Sequence, residues 1–524
     1  MLRRLTPFAA FAALVLVLVP AASARVLLVG TYHGTRGSFS SIQAAVDAAK
    51  PGDWILIGPG DYKTSSIRTP RGGGQFPAGI LISKPGLHLR GMNRNRVIVD
   101  GTRPGSSACS RKRAAQNFGP RRKKQTEGLN GIMVWKADNV AVQNLTVCNF
   151  LGGSGGDGVT GNEVWWNGGS GSGKIGGWGF SGSYLNTTNT FFKGERTAAR
   201  YGIFASNWSG GTWTQDYASN FNDSGFYIGA CRQICDNTVN HVWAQYSALG
   251  YSGSNSGGRL VIENSQFDHN KDGFDTNSQN GDNPPPQNGA CPHNGISPIT
   301  HTHSCWVFMN NYVHDNNNPN VPQVGAAASG PVGTGMSVSG GRNDTIMNNR
   351  FVRNDAWGLI VLPYVDSGKP CRGGTLGGLG PGTCLYDDWG DAVVGNTFSG
   401  NGTYGHPSNG DIAWLNLEGG HPTPCFSANT ELGGGPAVTS PSDIERTHPA
   451  CDGSSTAANQ NLTFLPEVLC NSGISLTSGP PPCPSGRYPR AHGAPPMRQL
   501  PRHLPSMPNP CTGVPANPWC PARR

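Results

Sequence analysis

Charge is scarce in this chain. Asp, Glu, Lys and Arg together make up 14% of 524 residues, too little for a chain held disordered by its own repulsion. No leucine-rich pattern repeats along it. After residue 19 no apolar run is long enough to cross a bilayer, which takes ~20 residues. What abounds instead is glycine, 76 residues, with 41 prolines. That is too much turn-forming material for a helical protein, and it predicts an all-β chain with many tight turns.

The first 24 residues read as a secretory leader. Arg3 and Arg4 open it, Phe8 to Val19 form its apolar stretch, and Ala22-Ser23-Ala24 offers a small-x-small cleavage site. Export predicts an extracellular or periplasmic chain without stable membrane insertion and makes nucleic acid an unsuitable partner. It also predicts disulfides from the 14 cysteines, because exported thiols meet an oxidising compartment. Local spacing suggests Cys109 with Cys148, Cys231 with Cys235, Cys291 with Cys305 and Cys371 with Cys384. In the tail it suggests Cys425 with Cys451, Cys470 with Cys483 and Cys511 with Cys520.

The middle of the chain repeats. Units open with Gly and an apolar residue at Gly202-Ile203, Gly225-Phe226, Gly250-Tyr251 and Gly273-Phe274, then at Gly335-Met336 and Gly358-Leu359. A second pattern, Asn-x-(Phe/Tyr)-x-x-(Asn/Asp), appears at Asn310-Tyr312-Asp315, Asn349-Phe351-Asn354 and Asn396-Phe398-Asn401, with Ser265-Phe267-Asn270 close to it. A period of 23 to 25 residues made of short β-rich runs marks a solenoid, in which each unit buries its apolar face only against its neighbours. Aromatic and β-branched core positions with Asn at the turns select a parallel β-helix. Asn side chains can then bond one another from coil to coil, ~4.8 Å apart.

On these motifs the chain resembles the right-handed parallel β-helix family of pectate-lyase-like proteins, over roughly residues 38 to 430. Inserts interrupt it near 102–127, 279–304 and 366–387, and a Cys- and Pro-rich irregular tail follows over 431–524. Ser40 to Ala49 predicts a helix with Ile42, Ala45, Val46 and Ala49 on one face. Pro51-Gly52, a strand and Pro59-Gly60-x-Tyr62 come after it. The resemblance implies that this helix plugs the open end of the first coil. It carries over no catalytic set. The nearest stretch to the Trp-Ile-Asp-His of pectate lyases is Phe267-Asp268-His269, and the signature motifs of polygalacturonases and alginate epimerases are absent.

Candidate chemistry follows from aligning the units on their aromatic residue. Two places later stand His269, His314 and Arg353, with Asp268, Lys271, Asp272 and Asp275 nearby. Proton abstraction beside a uronate carboxylate needs a base and a cation that neutralises the carboxylate. The expectation is a secreted, monomeric enzyme acting on an extracellular acidic polysaccharide, as lyase or C5-epimerase. His269 or His314 would be the base, Arg353 and Lys271 the neutralising cations, and Asp268, Asp272 and Asp275 ligands for a Ca²⁺. Trp165, Trp166 and Arg353 would contact sugar. The alternative is a glycan-binding surface or matrix protein without catalysis. The same residues also read as plain turn chemistry, since His-Asp and Asn-Asp sequences turn well. Cys291, His293, His301, His303 and Cys305 have zinc-ligand types, although export favours a disulfide there. The basic run Arg111–Arg113 with Arg121–Lys124 reads as a polyanion contact or a solvated loop.

Overall fold

Each repeat unit holds three short runs with alternating or wholly apolar character, and each run becomes a strand of a different sheet. The computed structural model describes residues 24–522, apart from 65, 73–75, 155–159, 170–173, 195–196, 198, 232–233, 282–283, 290–303, 368–370, 420, 443, 448–461 and 476–478. Three long sheets run the length of the solenoid. Sheet I has twelve strands, from Val26–Val29 to Cys425–Ser427. Sheet II has eleven, from Ala78–Ile82 to Thr439–Ser440. Sheet III has twelve, from Gly60–Lys63 to Gly435–Pro436, whose last strand alone pairs antiparallel. The coil visits I, III and II in turn, and every other pairing within the three sheets is parallel. This is a right-handed parallel β-helix, the hand taken by ~98% of parallel crossovers.

The core runs unbroken from Leu27 to Ile444. Its aromatic residues stack between coils, Tyr251 on Phe274 at 4.4 Å and Phe351 on Phe398 at 5.2 Å. The repeated glycines line one column of sheet II. A Cβ at Gly273 would sit 2.5 Å from the Gly335 carbonyl and 2.6 Å from the Asn316 amide, and one at Gly335 would meet Gly358 and Asn354 in the same way. No larger residue fits between the coils there.

Two asparagine ladders climb the corners that flank sheet III. One runs Ser265, Asn311, Asn349, Asn396, Asn429 and ends on Glu445. The other runs Ser247, Asn270, Asn316, Asn354, Asn401 and ends on Asp411. The structure corrects one unit of the sequence pattern. Asn311-Val313-Asn316 carries the ladder, not Asn310-Tyr312-Asp315, because Val313 is the residue that pairs with Phe267 and Phe351. Tyr312 points outward.

The predicted plug is the helix Ile42–Ala48, capped by Ser41. Gln43 turns its amide to the exposed edge of sheet II, accepting from Leu81 N–H at 2.8 Å and donating to its carbonyl at 3.3 Å. A side chain thus stands in for a missing strand. The solenoid reaches past both expected limits, since Val26–Val29 pairs with Trp54–Ile57 and Thr439–Ser440 with the strand at Gly410–Trp414. The glycine-rich stretch 152–182, which holds Trp165, Trp166 and Trp178, contributes ordinary strands, Asn162–Asn167 to sheet II and Phe180–Ser183 to sheet I. The leader lies almost wholly outside the described residues. Among the described residues, no helix is long and apolar enough to cross a membrane.

Five predicted disulfides are formed: Cys109–Cys148, Cys231–Cys235, Cys371–Cys384, Cys470–Cys483 and Cys511–Cys520. Cys305 and Cys425 are disulfide-bonded as well, while Cys291 and Cys451 lie outside the described residues. The tail contains a helix, Phe464–Ser472, seated on the outer face of sheet II through Phe464 and Val468. It then runs extended across sheet III, back to the first coils. Its prolines lack N–H donors, so the solenoid supplies them. Asn186 donates to Pro501, Asn95 to Leu504, Arg94 to Pro505, and Arg90 to Pro510 and Thr512. Trp519 closes the path by donating to Thr35 at 3.0 Å.

The corners also bury acids. Burial pushes Asp216 and Asp391 up to about 7, and Asp344, Asp388 and Glu163 well above the carboxylate range. In the unfolded chain they titrate near ~4. Between about pH 4 and 7 the folded chain therefore holds protons that the unfolded chain has lost, and stability falls as pH rises. Burial works against Asp53 and Asp315, but Arg25 and Arg353 hold both below the usual range, and that contribution is lost only under pH ~4. The expected thermal midpoint is highest near pH 4–5 and several degrees lower at pH 8. A midpoint that climbs steadily from pH 5 to 8 would contradict the burial of these acids.

Candidate functional site

The residues singled out in the sequence fall on two different faces. His269, His314 and Arg353 do come together, at the outer end of sheet III. The two imidazoles lie 6.2 Å apart between ring centroids. Strand register shifts the expected column by one residue, however. His314 pairs with Asp268, and the residue level with His269 and Arg353 is Asp315. His269, Asp315 and Arg353 all adopt left-handed backbone, with φ of 57°, 54° and 53°. They are turn residues first.

Every group in this cluster is already engaged. Asp268, 1% exposed, accepts from Trp243 Nε1 at 2.5 Å, Gln245 at 2.6 Å and Gln266 at 2.9 Å, and pairs with His269 Nδ1 at 2.5 Å. Burial raises its carboxyl, but these bonds, led by His269, outweigh burial and hold it low. The same bond raises the His269 imidazole. A histidine whose Nδ1 is already paired with a buried carboxylate is poorly placed to act as a base. His314 contacts Asp315 at 2.6 Å and Gln266 at 3.1 Å, and Arg353 clamps Asp315 at 2.8 and 2.5 Å. The arrangement is a closed network that fixes the turn.

The expected calcium trio does not converge. Asp268 belongs to sheet III, whereas Asp272 and Asp275 belong to sheet II. Among the described residues, the only group of three or more acid, thiol and imidazole side chains whose ligand atoms all lie within 4.8 Å of one another is Asp100, Cys109 and Cys148. The two cysteines there are a disulfide. Of the proposed zinc set, Cys291, His293, His301 and His303 lie outside the described residues. The tryptophans are corrected too. Trp166 is fully buried in the core and bonds Val140, and Trp165 is sandwiched against Phe204 and Phe76 at 5% exposure. Neither has a face for a sugar. The basic runs Arg111–Arg113 and Arg121–Lys124 are exposed.

A groove lies elsewhere, over the outer face of sheet II, with a volume of about 310 Å³. It crosses six neighbouring strands, from Tyr201–Ser206 to Trp357–Leu362, hence ~24 Å at ~4.8 Å per strand. Its floor is two columns of outward residues. One reads Tyr227, Ser252, Asp275, Ser337, Ile360; the other reads Ser254, Asn277, Ser339, Leu362. At one end Asp223 accepts from the Tyr201 hydroxyl at 3.0 Å and meets Arg200 at 3.5 Å. Tyr201 and then Asp223 raise the Arg200 guanidinium against the burial that would lower it, so it stays cationic. Asp275 lies mid-groove, its carboxyl pushed up to about 7 by burial, with the Asp223 charge adding to it.

Lys271 and Asp272 stand behind one wall. Lys271 donates to Gln323 at 3.0 Å and to the Ala328 carbonyl at 2.6 Å, and burial brings its ammonium down to about 8. It holds the 318–332 loop against the solenoid, and Asn471 of the tail helix zips to Val332 beyond it. Asp272 is buried, accepts from Ser337 Oγ at 2.9 Å, and is raised well above the carboxylate range by burial and then by Asp275. Sequence reasoning placed Asp275 in a candidate site but missed Arg200, Tyr201 and Asp223.

No family model and no curated protein matches the chain. Solved structures that share its course include the A-module of mannuronan C-5 epimerase AlgE4 from Azotobacter vinelandii. That module is 14% identical, with a TM-score of 0.43, over 74% of this chain and 90% of that one. Pectate lyase Pel9A is 14% identical at a TM-score of 0.38, over 84% and 83%. Alginate lyase from Paenibacillus sp. is 12% identical at 0.35, over 78% and 96%.

Proposed function

We propose that the chain is an exported enzyme that abstracts a proton from an acidic polysaccharide lying along the sheet II groove, as lyase or C5-epimerase. The observation that carries this reading is the ~24 Å trough with Asp275, titrating at about 7, at its middle and Arg200 at its end. A carboxyl with that pKa is a base at neutral pH and a proton donor just below it. Arg200 stands three strands from Asp275 at the end of the trough, where it supplies positive charge for the carboxylate of another sugar of the same chain. The bond that breaks is C–H beside the carboxylate. The electron pair either expels the glycosidic oxygen or takes a proton back on the other face.

Asp223 and Asp275 also suit hydrolysis, Asp223 paired with Arg200 at 3.5 Å and Asp275 raised to about 7 as the proton donor. The two readings have opposite pH profiles. A base at Asp275 makes turnover rise through pH 7, and an acid there makes it fall. The deciding experiment incubates the protein with a panel of polyuronates, following absorbance of the unsaturated product, deuterium exchange at C5 and reducing ends. Unsaturated product or exchange, rising through pH 7, is the expected result. Reducing ends alone, falling through pH 7, would replace abstraction by hydrolysis. Retention of a glycan with no signal in any assay would leave a binding protein. His269→Ala and His314→Ala are expected to keep turnover within ~3-fold, since a true general base costs ~10²–10⁴ when removed.

A further inference from the structure

The groove changes character along its length. Arg200, Tyr201 and Asp223 make one end charged. At the other end the lining is aliphatic: Leu362, Pro363 and Val365 from the solenoid side face Leu465, Leu469 and Ile474 from the tail helix and the residues after it. Ile474 remains 39% exposed. Leu465 and Leu469 are only partly covered, although Phe464 and Val468 of the same helix already anchor it to the sheet. The floor changes in step, from Asn277 and Ser339 to Leu362 in one column and from Asp275 and Ser337 to Ile360 in the other. A bare uronate chain, studded with hydroxyls and carboxylates, would leave hydroxyls unpaired at this end.

We infer that the groove recognises a polysaccharide bearing short aliphatic O-acyl groups, and that the shelf formed by Leu362, Pro363, Val365, Leu465, Leu469 and Ile474 receives the acyl chain. The inference rests on the groove being the glycan site, and it names the substrate more closely. Arg200 and the shelf lie at opposite ends of a ~24 Å track, so the acyl group belongs to a sugar residue several places from the one whose carboxylate meets Arg200. The tail helix, which no repeat of the solenoid requires, then builds the acyl-binding wall.

The test uses the full exported chain and three preparations of one oligouronate: deacylated, O-acetylated and O-butyrylated at matched length. Affinity is read by calorimetry and turnover by the assays above. Each buried CH₂ is worth ~0.8 kcal/mol, about 4-fold, so the butyrylated form is expected to bind ~10-fold or more tighter than the acetylated one. In Leu469→Asp this ratio is expected to fall toward one. Leu469→Ala, which keeps the helix apolar, is expected to fall between. Circular dichroism and the thermal midpoint confirm that both variants are folded. Equal affinity for all three forms, or tighter binding of the deacylated one, overturns the acyl shelf while leaving the groove reading intact if turnover is seen. Acyl-dependent binding without turnover upholds the shelf and overturns the enzymatic reading. Acyl preference unchanged in Leu469→Asp places the selectivity elsewhere and overturns the inference.

Discussion

Asp275→Asn is expected to lower turnover by ~10²–10⁴, the usual loss when a general base is removed, with the coils undisturbed. Asn matches Asp in size, and the neighbours on the same column, Ser252 and Ser337, are held beside it by parallel strand pairing. Two further readouts separate chemistry from damage. In the wild type, kcat/KM should rise with pH around a midpoint near 7, the value to which burial pushes this carboxyl, and that limb should vanish in the variant. The second readout needs no substrate. A carboxyl raised by folding costs stability at pH values where the unfolded chain is ionised, so a neutral amide should raise the thermal midpoint at pH 8 and leave it unchanged near pH 4. Lost turnover with a higher midpoint is the signature of a strained functional acid. Unchanged turnover would remove Asp275 from the mechanism.

Asn349→Ala is the second large effect, on stability rather than turnover. Asn349 is 1% exposed and sits in the middle of the first ladder. Its backbone N–H and side-chain amide both donate to Asn396 at 2.9 Å, and the amide donates to the Phe308 carbonyl at 2.9 Å. Its oxygen accepts from the N–H and amide of Asn311 at 2.9 and 3.1 Å. Alanine leaves these partners buried and unsatisfied at ~1–3 kcal/mol each, so a total of ~3–6 kcal/mol is expected in denaturant unfolding. The adjacent Asn348 is exposed and left-handed at φ 55°. Glycine tolerates that conformation, so Asn348→Gly is expected to change stability by less than ~0.5 kcal/mol. A loss below ~1 kcal/mol in Asn349→Ala would mean that the ladder is decorative.

The period of the chain made the solenoid legible, because glycine, aromatic and Asn columns repeat for reasons internal to each coil. The capping helix was legible for the same reason, its apolar face at helical spacing. Register was harder. One misplaced residue at Tyr312 moved His314 into a column with His269, and an apparent three-residue site arose from a register shift of one. Only the pairing of Val313 with Phe267 exposes it. The groove floor was in principle readable. The residue after each unit-opening apolar position runs Tyr227, Ser252, Asp275, Ser337, Ile360, and an acid amid small polar residues on an outward column is a signal. Arg200 and Asp223 precede their strands in loops, and no periodicity reaches them. The walls come from residues 318–332 and 464–474, which are far apart in sequence and carry no repeat at all.

The extended tail has a consequence for how the molecule comes apart. Repeat arrays are linear: each coil knows only its neighbours, and such a stack frays from whichever end is weaker. Here the tail around Trp519 lies on the first coil, with Trp519 against Tyr32 and bonded to Thr35, and carbonyls along the way are held by Arg90, Arg94, Asn95 and Asn186. The open stack becomes a closed circuit, in which loosening the first coil means releasing the final segment as well. Melting is then shared along the whole length instead of creeping inward. A nascent chain, in turn, gains its full resistance to proteases only when its last disulfide loop has emerged and found residue 35.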